Sequence, residues 1–129
     1  MKKYEIGLYE KAMRNTLTWK EKLQCAKECG YDYLEISIDA TEEKINRIYM
    51  DTEEKREIME AIFDTGIPIG SMSVSALTKY ALGDPDQAVR DRGMEIAEKS
   101  IQLSSALGVR TVMIPGYDIY YGESTIETK

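Results

Sequence analysis

Histidine is absent from the 129 residues. Its absence excludes, within this chain, a Ser-His-Asp triad, a histidine general base and any histidine-ligated metal site. Cysteine is scarce: Cys25 and Cys29 stand four apart on one face of an expected helix. The spacing is not CxxC and gives no secreted disulfide framework, so packed or idle thiols are expected. No apolar run approaches the roughly 20 residues of a membrane span. Met1-Lys2-Lys3 leads straight into a strand-like segment without the apolar stretch of a signal peptide, and a cytoplasmic protein is expected. An excess of positive charge is also missing. The formal net charge is −6, which disfavours nucleic acid and membrane surfaces as partners. A small anionic ligand remains open, because a few local cations or a helix N-terminus suffice to bind one. There is no GxGxxG, no P-loop, no linker and no low-complexity stretch, and Gly116 alone is too little for a phosphate cradle.

What is present is an ordinary globular composition, 43% hydrophobic and 31% charged, at the length of one domain. The chain repeats a strand–loop–helix unit. Tyr4 to Tyr9 reads as a first strand, followed by a helix that Thr18 and Glu21 open as a capping box. Trp19, Leu23 and Ala26 form that helix's apolar stripe, and Gly30 ends it. Asp32 to Asp39 alternates, with Leu34, Ile36 and Ile38 on one face and Glu35, Ser37 and Asp39 on the other. A loop to about Tyr49 follows, then a helix capped by Asp51 and Glu54, carrying Ile58, Ala61 and Ile62, and ending at Gly66. A third strand runs from Pro68 to Ser75. Its helix is expected to start with Asp84 as N-cap and Pro85 at N1, to turn Val89, Ile96, Ala97 and Ile101 inward, and to stop at Gly108. A fourth strand covers Arg110 to Pro115, and residues 123–129 read as the start of a further helix.

Strands alternating with helices at this spacing indicate βαβ units and a parallel sheet. Four such strands fit either an open doubly wound sheet or half of a (βα)₈ barrel. Central strands of an open sheet are apolar on both faces. Here Glu35, Ser37 and Asp39 occupy one face of the second strand, and Ser71, Ser73 and Ser75 one face of the third. One polar and one apolar face favours the barrel, read as a single domain over 1–129, although the serines could simply satisfy local backbone groups.

Barrel active sites lie at the C-terminal ends of the strands. The candidates are Tyr9, Glu10 and Lys11, then Glu35, Ser37 and Asp39, then Ser73, Ser75 and Lys79, and finally Tyr117 and Asp118. Glu35 is the sharpest, because an interior carboxylate is costly to bury without a partner; a structural salt bridge or a solvated carboxylate is the plain alternative. Glu10-Lys11 could be a solvated loop pair, and Tyr117, Tyr120 and Tyr121 could floor a sugar site or cover the core. The run Glu53 to Glu57 reads as a solvated helix face.

The stretches Gly7-Leu8-Tyr9-Glu10-Lys11-Ala12, Tyr33 to Asp39, Ser71 to Ala76, Tyr80-Ala81-Leu82-Gly83 with Ala88-Val89-Arg90, and Gly116 to Tyr121 together resemble the L-ribulose-5-phosphate (L-xylulose-5-phosphate) 3-epimerases, once called hexulose-6-phosphate isomerases, of the xylose-isomerase-like TIM barrel type. The resemblance covers nearly the whole chain. It implies the N-terminal half of a (βα)₈ barrel from an isomerase that moves a proton on and off carbon 3 of a phosphorylated ketopentose. It also implies a divalent metal (Mn, Zn or Mg) held by two Glu, one Asp and one His from the second half of the barrel. No catalytic or metal residue therefore carries over. The substrate-facing rim does, as Glu10, Glu35, Ser73, Ser75 and Tyr117. Leu77 departs from the family, which places His there, and the departure removes a polar group from the rim. The resulting expectation is an epimerase half that is inactive alone and associates with itself through its open sheet edges. The alternative is a non-catalytic half-barrel that binds or self-associates.

Overall fold

The computed structural model describes residues 4–116. Four strands, β1 (Gly7–Tyr9), β2 (Tyr33–Ser37), β3 (Ile69–Ser73) and β4 (Thr111–Met113), form one sheet in the order β1-β2-β3-β4 with every pairing parallel. Helices α1 (Trp19–Glu28), α3 (Thr52–Thr65) and α4 (Gln87–Ala106) connect them, and a short α2 (Glu42–Ile45) interrupts the second connection. This is half of a (βα)₈ barrel.

Local chemistry sets the helix ends. Thr18 and Glu21 exchange side-chain and backbone hydrogen bonds at the start of α1, and Asp51 and Glu54 do the same for α3. Each satisfies two backbone groups that a helix end otherwise leaves unpaired. Gly30, Gly66 and Gly108 close the three long helices with φ of 80°, 75° and 71°, a region closed to most side chains.

All the apolar strand faces meet the helices in one core. Leu34, Ile36, Ile38, Met72 and Val74 pack with Leu23 and Ala26 of α1, Ile58 and Ala61 of α3, and Ile96 and Ala97 of α4. Ile69 belongs to the same core although Ser71, two residues on, faces the other way. The register explains this, for Leu34 pairs with Ile69 but Glu35 pairs with Ser71, so Gly70 is an extra residue that flips the strand's facing.

Four expectations are corrected. The fourth helix starts after Asp86, not Asp84: the Asp84 carboxylate accepts the Asp86 N–H at 2.8 Å, placing Pro85 in a turn before the cap, and Asp86 then accepts from Ala88 at 2.9 Å. Ile101 is 52% exposed, because the buried ridge of α4 runs through Gly93, Ile96, Ala97, Ser100, Leu103 and Ser104, and Ile101 lies on its flank. The connection after β2 is helical over Glu42–Ile45 and again, as a 3₁₀ turn, over Asn46–Tyr49. The strands are shorter than their patterns, with β1 and β4 holding three ladder residues each. Among the described residues no helix is long and apolar enough to cross a membrane.

Candidate active-site mouth

The sheet face away from the helices carries the polar residues. At its N-terminal end the Tyr33 ring lies across both neighbouring strands. A Cβ on Gly7 would come within 2.2 Å of that ring, and one on Gly70 within 2.6 Å, so the two glycines are what admit it. Above it Ser71 donates to Glu35 Oε2 at 2.6 Å. One step further the Tyr9 hydroxyl and Ser37 Oγ share a hydrogen bond of 3.3 Å. Ser73 follows, buried, and the Ser75 hydroxyl is buried with no hydrogen-bond partner among the described residues. Asp39 accepts from Thr41 N and Oγ1 and pairs with Lys11 at 3.2 Å. Burial would raise the Asp39 pKa, but the Thr41 hydrogen bonds and the Lys11 charge outweigh it and hold the carboxyl below its ordinary value.

Glu10 departs most from a solvated loop pair. It follows β1 directly, in a 3₁₀ turn, and its carboxylate points inward with 1% of the residue exposed. Lys22 Nζ donates to Oε1 at 2.6 Å and Lys44 Nζ to the same oxygen at 2.7 Å. The Arg47 guanidinium spans both oxygens at 2.6 and 2.7 Å, and the Ser37 amide adds a bond of 2.9 Å to Oε2. Arg47 also donates to the Ser37 carbonyl at 3.1 Å. Glu10 and Arg47 thus hold both sides of the last β2 residue. Lys22 and Arg47 each lie 4.8 Å from the centre of the Trp19 ring, which covers the cluster as a cation–π surface.

Three cations against one carboxylate leave an excess of two positive charges at the C-terminal ends of β1 and β2. Burial alone would raise the Glu10 pKa. The hydrogen bonds and charge of Arg47, joined by Lys22 and Lys44, reverse this and hold the carboxyl well below the glutamate range. Burial pushes the Lys22 ammonium down, partly offset by Glu10 and reinforced by Arg47 and Lys44.

The structure therefore brings Glu35, Ser37, Ser71 and Ser73 together on one face, and it places Glu10 beside them but beneath the surface. Tyr117, Asp118, Tyr120 and Tyr121 lie outside the described residues. Lys79 is exposed, with its ammonium 5.2 Å from the Tyr80 ring centre. Leu77 is buried in the core, so the loop after β3 uses this position for packing. The sequence reading missed Lys22, Lys44 and Arg47. One signal was available: each stands directly beside or near an apolar core position, at Leu23, Ile45 and Ile48. Cys25 and Cys29 are free thiols, half-buried and exposed. Among the described residues no group of three or more His, Cys, Asp or Glu side chains could hold a metal ion.

Three comparisons bear on this geometry. The chain is 40% identical over 128 residues to the L-ribulose-5-phosphate 3-epimerase UlaE of Escherichia coli O139:H28, a match covering 99% of this chain and 45% of that protein. It thus spans about 45% of the length of that curated relative. Among solved structures it superposes on D-allulose 3-epimerase from Methylomonas sp. with a TM-score of 0.68, at 19% identity, over 96% of this chain and 42% of the other. It also superposes on the 3-keto-D-glucoside 4-epimerase YcjR of E. coli with a TM-score of 0.67, at 23% identity, over 88% and 38%. At those identities the two structures establish the fold alone. The model of the xylose isomerase-like TIM barrel family matches residues 23–128, and the chain belongs to that family.

Proposed function

We propose that this chain supplies the N-terminal, substrate-facing half of a cytoplasmic 3-epimerase for a phosphorylated ketopentose, L-ribulose 5-phosphate or L-xylulose 5-phosphate. The observation that carries the reading is the 40% identity to UlaE along 99% of this chain. The polar mouth supports it. Glu35 and Ser73 face the interior, and the unpartnered Ser75 hydroxyl is a buried group that a sugar hydroxyl would satisfy. Tyr117 joins them in this reading. Glu10 acts through others, because its carboxylate already accepts five hydrogen bonds and holds Ser37 from the inside. The excess positive charge below the mouth favours an anionic over a neutral sugar.

A divalent metal, if bound, would polarise the sugar carbonyl. Its ligands, and the groups that move the proton at carbon 3, are proposed to come from residues other than those described. The chain alone is then a binder without turnover.

Two measurements test this. Backbone NMR should show L-ribulose 5-phosphate shifting the amides of Glu35, Ser73 and Ser75, with D-allulose giving a weaker response. Interconversion of the two pentose phosphates should be absent with the chain alone, with or without Mn²⁺, and should appear when the C-terminal half of E. coli UlaE is added. Metal-dependent turnover by the chain alone would overturn the half-site reading. No amide shift with either sugar would overturn the substrate-facing role of these residues.

A further inference from the structure

Lys11 stands one residue beyond Glu10, in the turn that follows β1. Its ammonium pairs with Asp39 Oδ2 at 3.2 Å and lies 6.0 Å from the centre of the Tyr9 ring. Tyr9 is the ladder neighbour of Glu35, and its hydroxyl meets Ser37 Oγ. A cation is thus held over the rim between the ends of β1 and β2, beside the polar face of the sheet.

Its state differs from that of the three cations beneath. Lys22, Lys44 and Arg47 are committed to Glu10, and their side chains are at most 11% exposed. They raise the potential of the mouth from below its surface. The Lys11 side chain is 43% exposed. An ion pair so open to water contributes little to stability, so exchanging its anion costs little. Asp39 does not depend on Lys11 for its place, because Oδ1 accepts from Thr41 N and Oγ1 at 2.9 and 2.6 Å, a turn closed within the local chain. A phosphate monoester carries nearly two negative charges near neutral pH, against one on a carboxylate, and its oxygens accept charge-assisted hydrogen bonds. It competes with Asp39 for the ammonium on favourable terms.

We propose that Lys11 is the cation that receives the phosphate of the ketopentose phosphate, with Asp39 as the counter-ion it leaves. The pair then sets the preference for a phosphorylated over a neutral ketose. The inference rests on the substrate reading above and adds to it a specificity-determining residue outside the set Glu35, Ser73, Ser75 and Tyr117.

The test is amide NMR titration of the intact chain with L-ribulose 5-phosphate and, separately, with unphosphorylated L-ribulose. The Thr41 amide, bonded to Asp39, reports the exchange of partner. In the native chain the phosphorylated sugar should bind more tightly and shift Thr41, and the neutral sugar should leave Thr41 in place. Lys11→Met should weaken L-ribulose 5-phosphate by about tenfold, the loss of one charge-assisted hydrogen bond, and leave L-ribulose unchanged. Lys11→Arg should keep the preference. Asp39→Asn retains an acceptor for Thr41, removes the competing charge and should tighten L-ribulose 5-phosphate. Lys79→Met, which deletes an exposed charge in the loop after β3, should change neither sugar and separates a local contact from net charge. A preference that survives Lys11→Met, or that falls equally in Lys79→Met, overturns the proposal, and so does weaker binding of L-ribulose 5-phosphate in Asp39→Asn. Each of these leaves the substrate reading standing. A native chain whose Glu35, Ser73 and Ser75 amides move with neither sugar defeats that reading and the proposal together.

Discussion

The Glu10 carboxylate accepts a 2.7 Å hydrogen bond from Lys44, 34 residues away, with both side chains almost wholly buried. Losing a partner from such a pair is expensive because the remaining charge stays out of water. Glu10 has three such partners. Glu10→Gln is expected to destabilise the chain by about 3–5 kcal/mol, the range for breaking a buried ion pair. Urea denaturation checks this, and a loss no larger than that of an exposed Glu→Gln change would refute the buried arrangement.

The same carboxylate sets an acid limit. Its folded pKa lies below its unfolded value, so its contribution is fully present above the ordinary glutamate pKa and is lost as pH falls toward the folded value. Native stability should therefore decline steeply below about pH 4.5. Glu10→Gln should show a shallower decline across that window. Urea midpoints measured from neutral pH downward distinguish the two slopes.

Gly93 in the middle of α4 should invert a general rule. An alanine in a helix interior is ordinarily worth about 1 kcal/mol over glycine. A Cβ on Gly93 would stand 2.4 Å from the Tyr80 carbonyl oxygen, a backbone atom with little freedom to move. Gly93→Ala should lower the thermal midpoint instead of raising it, by the equivalent of about 1–3 kcal/mol.

Tyr33 and Gly70 should be energetically coupled. Gly70→Ala alone should cost about 1–3 kcal/mol by overpacking against the ring. In the Tyr33→Ala background the same change should cost far less, since its obstacle is gone. A double-mutant cycle measures the difference, and additive losses would show that the ring does not rest on Gly70.

Ile101 and Ile96, five positions apart on α4, should respond oppositely. Ile101→Gln should stay within about 0.5 kcal/mol, as exposed positions do. Ile96→Ala should cost about 2–5 kcal/mol through the cavity it leaves.

The legible features were the ones whose partners are close in sequence. The capping boxes at Thr18–Glu21 and Asp51–Glu54 span three residues, and the positive-φ glycines act where they stand, so local chemistry alone decides them. The alternation of β2 was readable for the same reason. Asp84-Pro85 also offered a sound local cap, but a second aspartate two residues on competed and took the role. Ile101 failed because apolar spacing does not say which side of a stripe the core lies on. Glu10 was illegible as a buried group because its cations are 12, 34 and 37 residues distant, and only the folded sheet brings them together. The bulge at Gly70 was hidden because alternation in β3 reads the same with or without the extra residue until Ile69 is located.

The cluster around Glu10 also constrains descent. Any one of Lys22, Lys44 and Arg47 can be replaced by a neutral residue with the carboxylate still countered by the other two. Replacing Glu10 first strands three buried cations together. A lineage leaving this arrangement therefore has a prescribed order, cations before carboxylate, and relatives caught midway should keep the glutamate with fewer basic residues about it, never the reverse.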